Sequence, residues 1–364
     1  MAVAVAPAKR PSRPSAPRRP SDGVHEYARQ VLTGQIVAGP YVRAACSRHL
    51  QDMQTGSARG LRFDPELADH ALRFFDHLRL SEGEFSGLPF ILTPAQVFIV
   101  GSLFGWLGPD GFRRFRLAYI EMGKGSGKTP LLSGIGLYLL LADEEEGAEV
   151  FAAAVTREQA GIMFRDAKRM AEGSPALKSR LDIFERNIVH RASGSFFRPV
   201  SSEGRSLDGK RVHGALIDEI HEHRTSIVVD KIRAGTKGRR QALICEITNS
   251  GYDRHSVCWQ HHDYSIKVAT GMIENDAWFG YVCALDEGDD WTDEAVWPKA
   301  NPLLDVSITR KYLREQVAEA QGMPAKENIV KRLSFCIWTE GSGKWLDAAA
   351  FGECGEGTRP RPLP

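Results

Sequence analysis

Residues Arg116–Pro130 read RLAYIEMGKGSGKTP, an apolar strand running straight into a glycine-rich turn that ends in Gly127-Lys128-Thr129. Such a turn, placed at the start of a helix, aims backbone N–H groups at one point and suits a polyphosphate. In the pattern G-x-x-x-x-G-K-[ST] the Lys reaches the β- and γ-phosphates and the hydroxyl binds Mg²⁺. Lys128 and Thr129 hold those two places, Gly123, Lys124, Gly125, Ser126 and Gly127 form the turn, and Met122 stands where the first Gly belongs.

Outward from this stretch, apolar segments alternate with helical patterns. Strands are expected at Arg116–Met122, Glu149–Thr156, Val212–Asp218, Ala242–Thr248 and Phe279–Leu285. Helices are expected at Thr129–Ala142, Arg157–Ala171, Ser226–Ala234, Ser256–Thr270 and Thr309–Ala320, with several short helices between Val24 and Leu80. Continuous apolar strands separated by helices describe an α/β protein with a mostly parallel sheet covered on both faces. Ahead of the first strand, Thr93 is placed to cap a helix whose first turn holds Pro94.

Two later strand ends carry chemistry. Val212–Asp218 ends in the adjacent carboxylates Asp218 and Glu219. At the C-terminal end of a parallel strand the first is placed to order a Mg²⁺ shell and the second to polarise an attacking water. Ala242–Ile247 ends in Thr248-Asn249-Ser250-Gly251, whose hydroxyl and amide groups suit a sensor of the γ-phosphate, although the same residues also favour a plain turn.

Composition narrows the alternatives. A formal net charge of +1 announces no nucleic-acid partner, so any such contact must be local. The apolar stretches Ile91–Leu107 and Leu131–Ala142 are too short or too interrupted to span a bilayer. Six scattered cysteines without a C-x-x-C pair argue against a disulfide framework and fit a reducing, intracellular setting. Residues 1–23, rich in Arg and Pro, read as a disordered soluble tail, against the rival readings of a transit peptide or a DNA-touching arm.

Four other features carry weaker signals. Glu340–Trp345 imitates a phosphate loop but lacks the hydroxyl after Lys344, and reads as a loop. His221, His223, His255, His261 and His262 with Cys258 offer only one zinc half-site. Arg233, Lys237, Arg239 and Arg240 fit either a DNA phosphate contact or a solvated helix end. Arg157, Arg165 and Arg169 are each conceivable arginine fingers, and the sequence does not choose among them.

Leu92–Gln96 with Phe104-Gly105-Trp106, Glu121–Pro130, Arg205–Gly209, Leu216–His221 and Thr248–Gly251 together resemble the large subunit of tailed-bacteriophage terminases, over about residues 87–346. The resemblance implies a P-loop NTPase of the RecA-like, additional-strand type with a small helical N-terminal region. It implies Gln96 as an adenine contact, and Lys124 as an extra basic residue of the phosphate loop acting with Lys128 and Glu219 in catalysis. Thr129 and Asp218 would hold Mg²⁺, and Thr248–Asn249 would be a coupling motif. The implied activity is ATP hydrolysis driving double-stranded DNA into a prohead from the host cytoplasm, transiently at the portal vertex. The implied partners are a small terminase subunit, the portal and a ring of like subunits. A helicase-like ATPase and a non-catalytic assembly module are the alternatives. The expected organisation is a tail (1–23), a helical region (24–86), an ATPase core (87–290), a lid region (291–346) and a linker (347–364). Too few residues follow Asp347 to build the family's nuclease domain, so nuclease activity is not expected.

Overall fold

The computed structural model describes residues 19–201, 209–223 and 225–339. The Arg205–Asp208 stretch, the Glu340–Trp345 loop and the 347–364 linker lie outside the described residues. So do residues 1–18 of the tail. Its last residues depart from the expectation: helix α1 (Asp22–Leu32) starts inside the expected tail, with the Ser21 amide donating to buried Asp69 at 2.7 Å. α1 packs with α2 (Pro40–Thr55), a short ribbon of β1 (Arg62–Phe63) with β2 (Trp106–Leu107), α3 (Pro65–Phe74) and α4 (Pro94–Gly105).

The rest of the chain builds one large sheet among the described residues. β3 (Leu117–Glu121) is followed by α5 (Lys128–Leu141), β4 (Glu149–Ala154), α6 (Arg157–Gly173) and the short α7 (Pro175–Lys178). Then come β5 (Asp182–Phe184), β6 (Asn187–His190), β7 (Ser195–Ser201), β8 (Val212–Asp218), α8 (Ile227–Gly235), β9 (Leu243–Thr248), α9 (Val257–Ala269) and β10 (Trp278–Val282). The strand order is β10-β3-β9-β8-β4-β7-β6-β5, parallel from β10 to β7 and antiparallel thereafter. β9 lies between the strand that feeds the glycine-rich turn and the strand that ends in the acid pair, which is the additional-strand topology. The β5–β6–β7 meander was missed in the sequence because β5 and β6 are short and all three strands are partly exposed and mixed in polarity.

Alternation along the strands decides which side chains meet which helices. Ala118, Ile120, Leu216, Cys245 and Ile247 join the core under α1, α4, α5 and α6, whereas Leu117, Tyr119, Ile217 and Ile244 pack under α8 and α9. α5 is buried nearly all round, so close contact requires small residues. A Cβ on Gly136 would come within 2.4 Å of Leu216 and 2.9 Å of Phe197. After the sheet, α10 (Arg310–Gly322) and α11 (Pro324–Phe335) form a small separate core with Trp297, Ile308, Leu313 and Phe335. α11 was not anticipated, since its run PAKENIVKRLSF is largely polar and its buried face is made by α10.

Ile120 is fully buried in β3, opposite Ile247 on one side and Tyr281 on the other. Ile120→Ala is expected to destabilise the chain by about 2–5 kcal/mol, read as a shift of the urea midpoint at unchanged slope.

Candidate nucleotide-binding and hydrolysis site

The site forms at the C-terminal ends of β3, β8 and β9, where the turn, the acid pair and the Thr-Asn pair all converge. Gly125 and Gly127 carry φ of +89° and +63°, conformations that an L side chain adopts only with strain. Gly123 is needed for a different reason: a Cβ there would meet Asn301 Oδ1 at 2.3 Å. The turn is braced from outside. The Gly123 amide donates to the Ala300 carbonyl (2.9 Å), the Lys124 amide to the Leu333 carbonyl (2.7 Å), and Ser307 Oγ to the Gly125 carbonyl (2.6 Å). Asn301 Nδ2 in turn donates to the Ser334 carbonyl at 2.8 Å. Asn301 and Ser307 had no sequence motif to mark them; they become visible only when the C-terminal helices fold over the loop.

Lys128 is buried, and its Nζ donates to the Met122 and Gly123 carbonyls at 3.0 and 3.1 Å. Burial pulls its pKa below the ordinary lysine value, against the opposing pull of Glu219 and Asp218. Thr129 Oγ1 donates to Asp218 Oδ2 at 3.2 Å, because alternation along β8 turns Asp218 toward the start of α5. Burial, then the Glu219 charge, raise the Asp218 pKa to about 6. Glu219 leaves the strand at φ +50° and ψ +52°, an uncommon conformation for a non-glycine residue. Burial pushes its carboxyl upward, but His221, Lys128 and Lys124 outweigh this and the net shift is downward. Two neighbouring acids are therefore driven apart in acidity.

Ligand chemistry fits this donor set. The two left-handed glycines open the turn, the buried Ser126 hydroxyl has no partner among the described residues, and a hydroxyl and a carboxylate oxygen sit side by side as hard ligands for a divalent cation. Next to the loop a cavity of about 330 Å³ is lined by Phe85, Ile91, Gln96, Gly127, Thr129 and Leu303. Its size and apolar walls suit a nucleoside. Gln96 lies in the first turn of α4, where its Oε1 accepts the Thr93 amide (3.0 Å) and hydroxyl (3.2 Å). This leaves the amide nitrogen as the free donor. Lys124 is exposed and lines a second cavity of about 790 Å³ against α10 and α11.

The Thr248–Asn249 pair is also at the site. Thr248 and Asn249 are buried at the end of β9. Thr248 Oγ1 donates to the Asn249 carbonyl at 2.8 Å, while Ser250 Oγ reaches the Arg332 and Ile337 carbonyls at 3.1 and 3.2 Å. His221, treated in the sequence as an ordinary loop residue, stands between Thr248 and Glu219.

Other candidates lie elsewhere. His261 pairs with Glu246 (2.6 Å), His262 with Glu121 (2.7 Å), and Cys258 approaches Tyr119 at 3.4 Å, all under α9. Arg239 is tied to Glu145 and to the Gly147 carbonyl, and Arg240 lies over Phe112, at the opposite edge of the sheet from the glycine-rich turn. Arg169 pairs with Glu82 at 2.6 Å. Among the described residues, no helix is long and apolar enough to cross a membrane.

Topology, loop and acid pair define a P-loop nucleotide-binding protein of the additional-strand class. The family models are consistent with one assignment: residues 94–267 match the terminase large subunit ATPase domain and residues 272–358 the terminase large subunit endonuclease domain. The chain belongs to the terminase large subunit family. It is 34% identical over 150 residues to protein YmfN of Escherichia coli K12, covering 41% of this chain and 33% of that protein. It is 24% identical over 284 residues to the terminase large subunit of Enterobacteria phage HK97, covering 76% and 54%. The crystal structure of the HK97 large terminase superposes with a TM-score of 0.66 at 20% identity, over 74% of this chain and 55% of that one. The chain thus spans about half or less of the length of these relatives.

The endonuclease match corrects one expectation. Nuclease sequence was expected only beyond Asp347, and its activity was discounted on that ground; the match begins at residue 272. Its first part supplies β10, which pairs with β3 in the ATPase sheet. No sequence break separates the two, because the same segment completes one domain and leads into the next.

Asp218 gives a pH prediction. Its folded pKa lies near 6, above the unfolded value, so the folded state binds the extra proton and stability from this group falls as pH rises from about 4 to 6. Asp218→Asn removes that dependence. In EDTA, the urea stability of the variant relative to the natural chain is expected to improve across this window by at most about 1.4 kcal/mol per pH unit and to level off above it.

Proposed function

We propose that this chain is the ATP-hydrolysing motor part of a terminase large subunit, driving double-stranded DNA into a prohead. The observation that carries the reading is the Thr129–Asp218 pair at the mouth of a left-handed glycine turn, with Glu219 next in the chain. ATP is the substrate. Its base fits the cavity beside Gln96, and its phosphates fit the turn from Gly123 to Thr129. Thr129 and Asp218 would hold Mg²⁺, which would supply charge neutralisation to the phosphates.

The protein groups then divide the work. Glu219, kept ionised by Lys128, Lys124 and His221, accepts a hydrogen bond from water and orients it toward the γ-phosphorus. The water oxygen bonds to phosphorus as the bond to the bridging oxygen breaks, releasing ADP and phosphate. On binding, Lys128 Nζ exchanges the Met122 and Gly123 carbonyls for phosphate oxygens, and with Lys124 spreads the transition-state charge. Loss of the γ-phosphate passes through Thr248–Asn249 to Ser250 and so to the carbonyls at the end of α11. Translocation would engage DNA in a ring of like subunits at the portal vertex in the host cytoplasm, with a small terminase subunit delivering the substrate.

Glu219→Gln is expected to bind a fluorescent ATP analogue normally and to lose at least about 100-fold in turnover. Lys128→Ala should lose binding itself. Unimpaired turnover in the Gln variant would remove Glu219 from the mechanism.

A further inference from the structure

We propose that His221 is a positioning residue for ATP hydrolysis, sharing its Nδ1 proton between Thr248 and Glu219. The inference rests on the function proposed above and assigns a role to the last side chain of the Leu216–His221 segment, to which the sequence pattern gave none.

The hydrogen-bond partners fix the geometry. Thr248 Oγ1 has one proton, and it is donated to the Asn249 carbonyl at 2.8 Å. Toward His221 the hydroxyl can only accept, so the Nδ1 contact of 2.9 Å requires the proton on Nδ1. The His221 amide points to the same oxygen at 3.4 Å. On the other side of the ring, Nε2 lies 3.0 Å from the exposed carboxylate of Glu222. The ring is buried and held at both nitrogens.

Glu219 completes the arrangement. Its Oε2 is buried without a well-aligned hydrogen bond, yet His221 Nδ1 stands only 3.2 Å away. A buried carboxylate oxygen left unpaired is costly, so a nearby N–H is a strong attractor. A small rotation of the imidazole transfers the Nδ1–H from the Thr248 hydroxyl to Glu219. In one position the ring fixes the carboxylate; in the other it fixes the end of β9 and leaves Glu219 free to hold water. The left-handed backbone at Glu219 brings its side chain back toward His221, two residues later in the chain. One imidazole thereby links the water-orienting residue to the strand end that reads the γ-phosphate.

The test uses the full chain with Mg-ATP, measuring kcat and KM separately alongside fluorescent-analogue binding. His221→Ala is expected to lower kcat about tenfold or more with KM and binding within twofold, the size typical of losing an orienting contact. His221→Asn, whose amide nitrogen overlays Nδ1, should restore most of the rate; His221→Gln, which overlays Nε2, should not. The double variant His221→Ala/Thr248→Val should lose less than the product of the two single losses, because the singles remove the same His221–Thr248 contact. Unchanged kcat in the Ala variant, equal loss in Asn and Gln, or a loss carried by KM would overturn the proposal. Melting curves of the Asn and Gln variants keep the comparison valid if the Ala variant does not fold. A natural chain without ATP turnover would instead reject the proposed function, since that result precedes any His221 variant.

Discussion

Two main-chain hydrogen bonds, from the Gly123 and Lys124 amides to the Ala300 and Leu333 carbonyls, hold the turn on which the rest of the site depends. A glycine-rich loop is conformationally expensive to order, and each left-handed residue adds to that cost. Here ordering is provided by a second small core, built on Trp297, Leu313 and Phe335, which closes over the loop from its outer side. The same arrangement makes the loop sensitive to whatever moves α10 and α11, because their carbonyls are its supports.

The electrostatics of the site follow from the sheet. Parallel strands end at one edge, so Lys128, Asp218, Glu219 and Thr248 are brought together from segments far apart in sequence. Burial alone would weaken every charge there. The lysine and the histidine reverse this for Glu219 but not for Asp218, which leaves one ready carboxylate and one that gains its charge fully only with a cation beside it. Behind them, Glu121 and Glu246 lie inside the sheet with no exposure and pair with His262 and His261 from one turn of α9; Tyr119 and Trp338 complete the Glu121 cluster, while Glu246 Oε1 has no partner among the described residues. This cluster joins the last residue of β3 to the segment that leaves α11.

Much of this was legible in the amino-acid pattern. The strands at 117–121, 149–154, 212–218 and 243–248 are continuous apolar runs, and those at 117–121 and 212–218 lead directly into the glycine-rich turn and the acid pair. The β5–β7 meander and α11 were not legible, since their burial depends on neighbours rather than on an intrinsic period. His221 was passed over because a histidine after an acidic strand has no local pattern to distinguish it. The boundary toward the endonuclease was misplaced for a related reason: β10 completes the ATPase sheet although its sequence matches the next domain.

The sequence by itself determined the phosphate loop, the acid pair and the alternation of strands and helices, because each rests on local chemistry or on a short period. Only the tertiary structure decided that β9 separates β3 from β8, that Gln96 opens on the cavity beside Gly127, and that Ala300, Asn301 and Leu333 brace the loop. It also decided that the histidines of α9 serve buried glutamates. These are contacts between segments far apart in the chain, set by how the sheet orders its strands and by which face each side chain is turned to, and no local pattern encodes them.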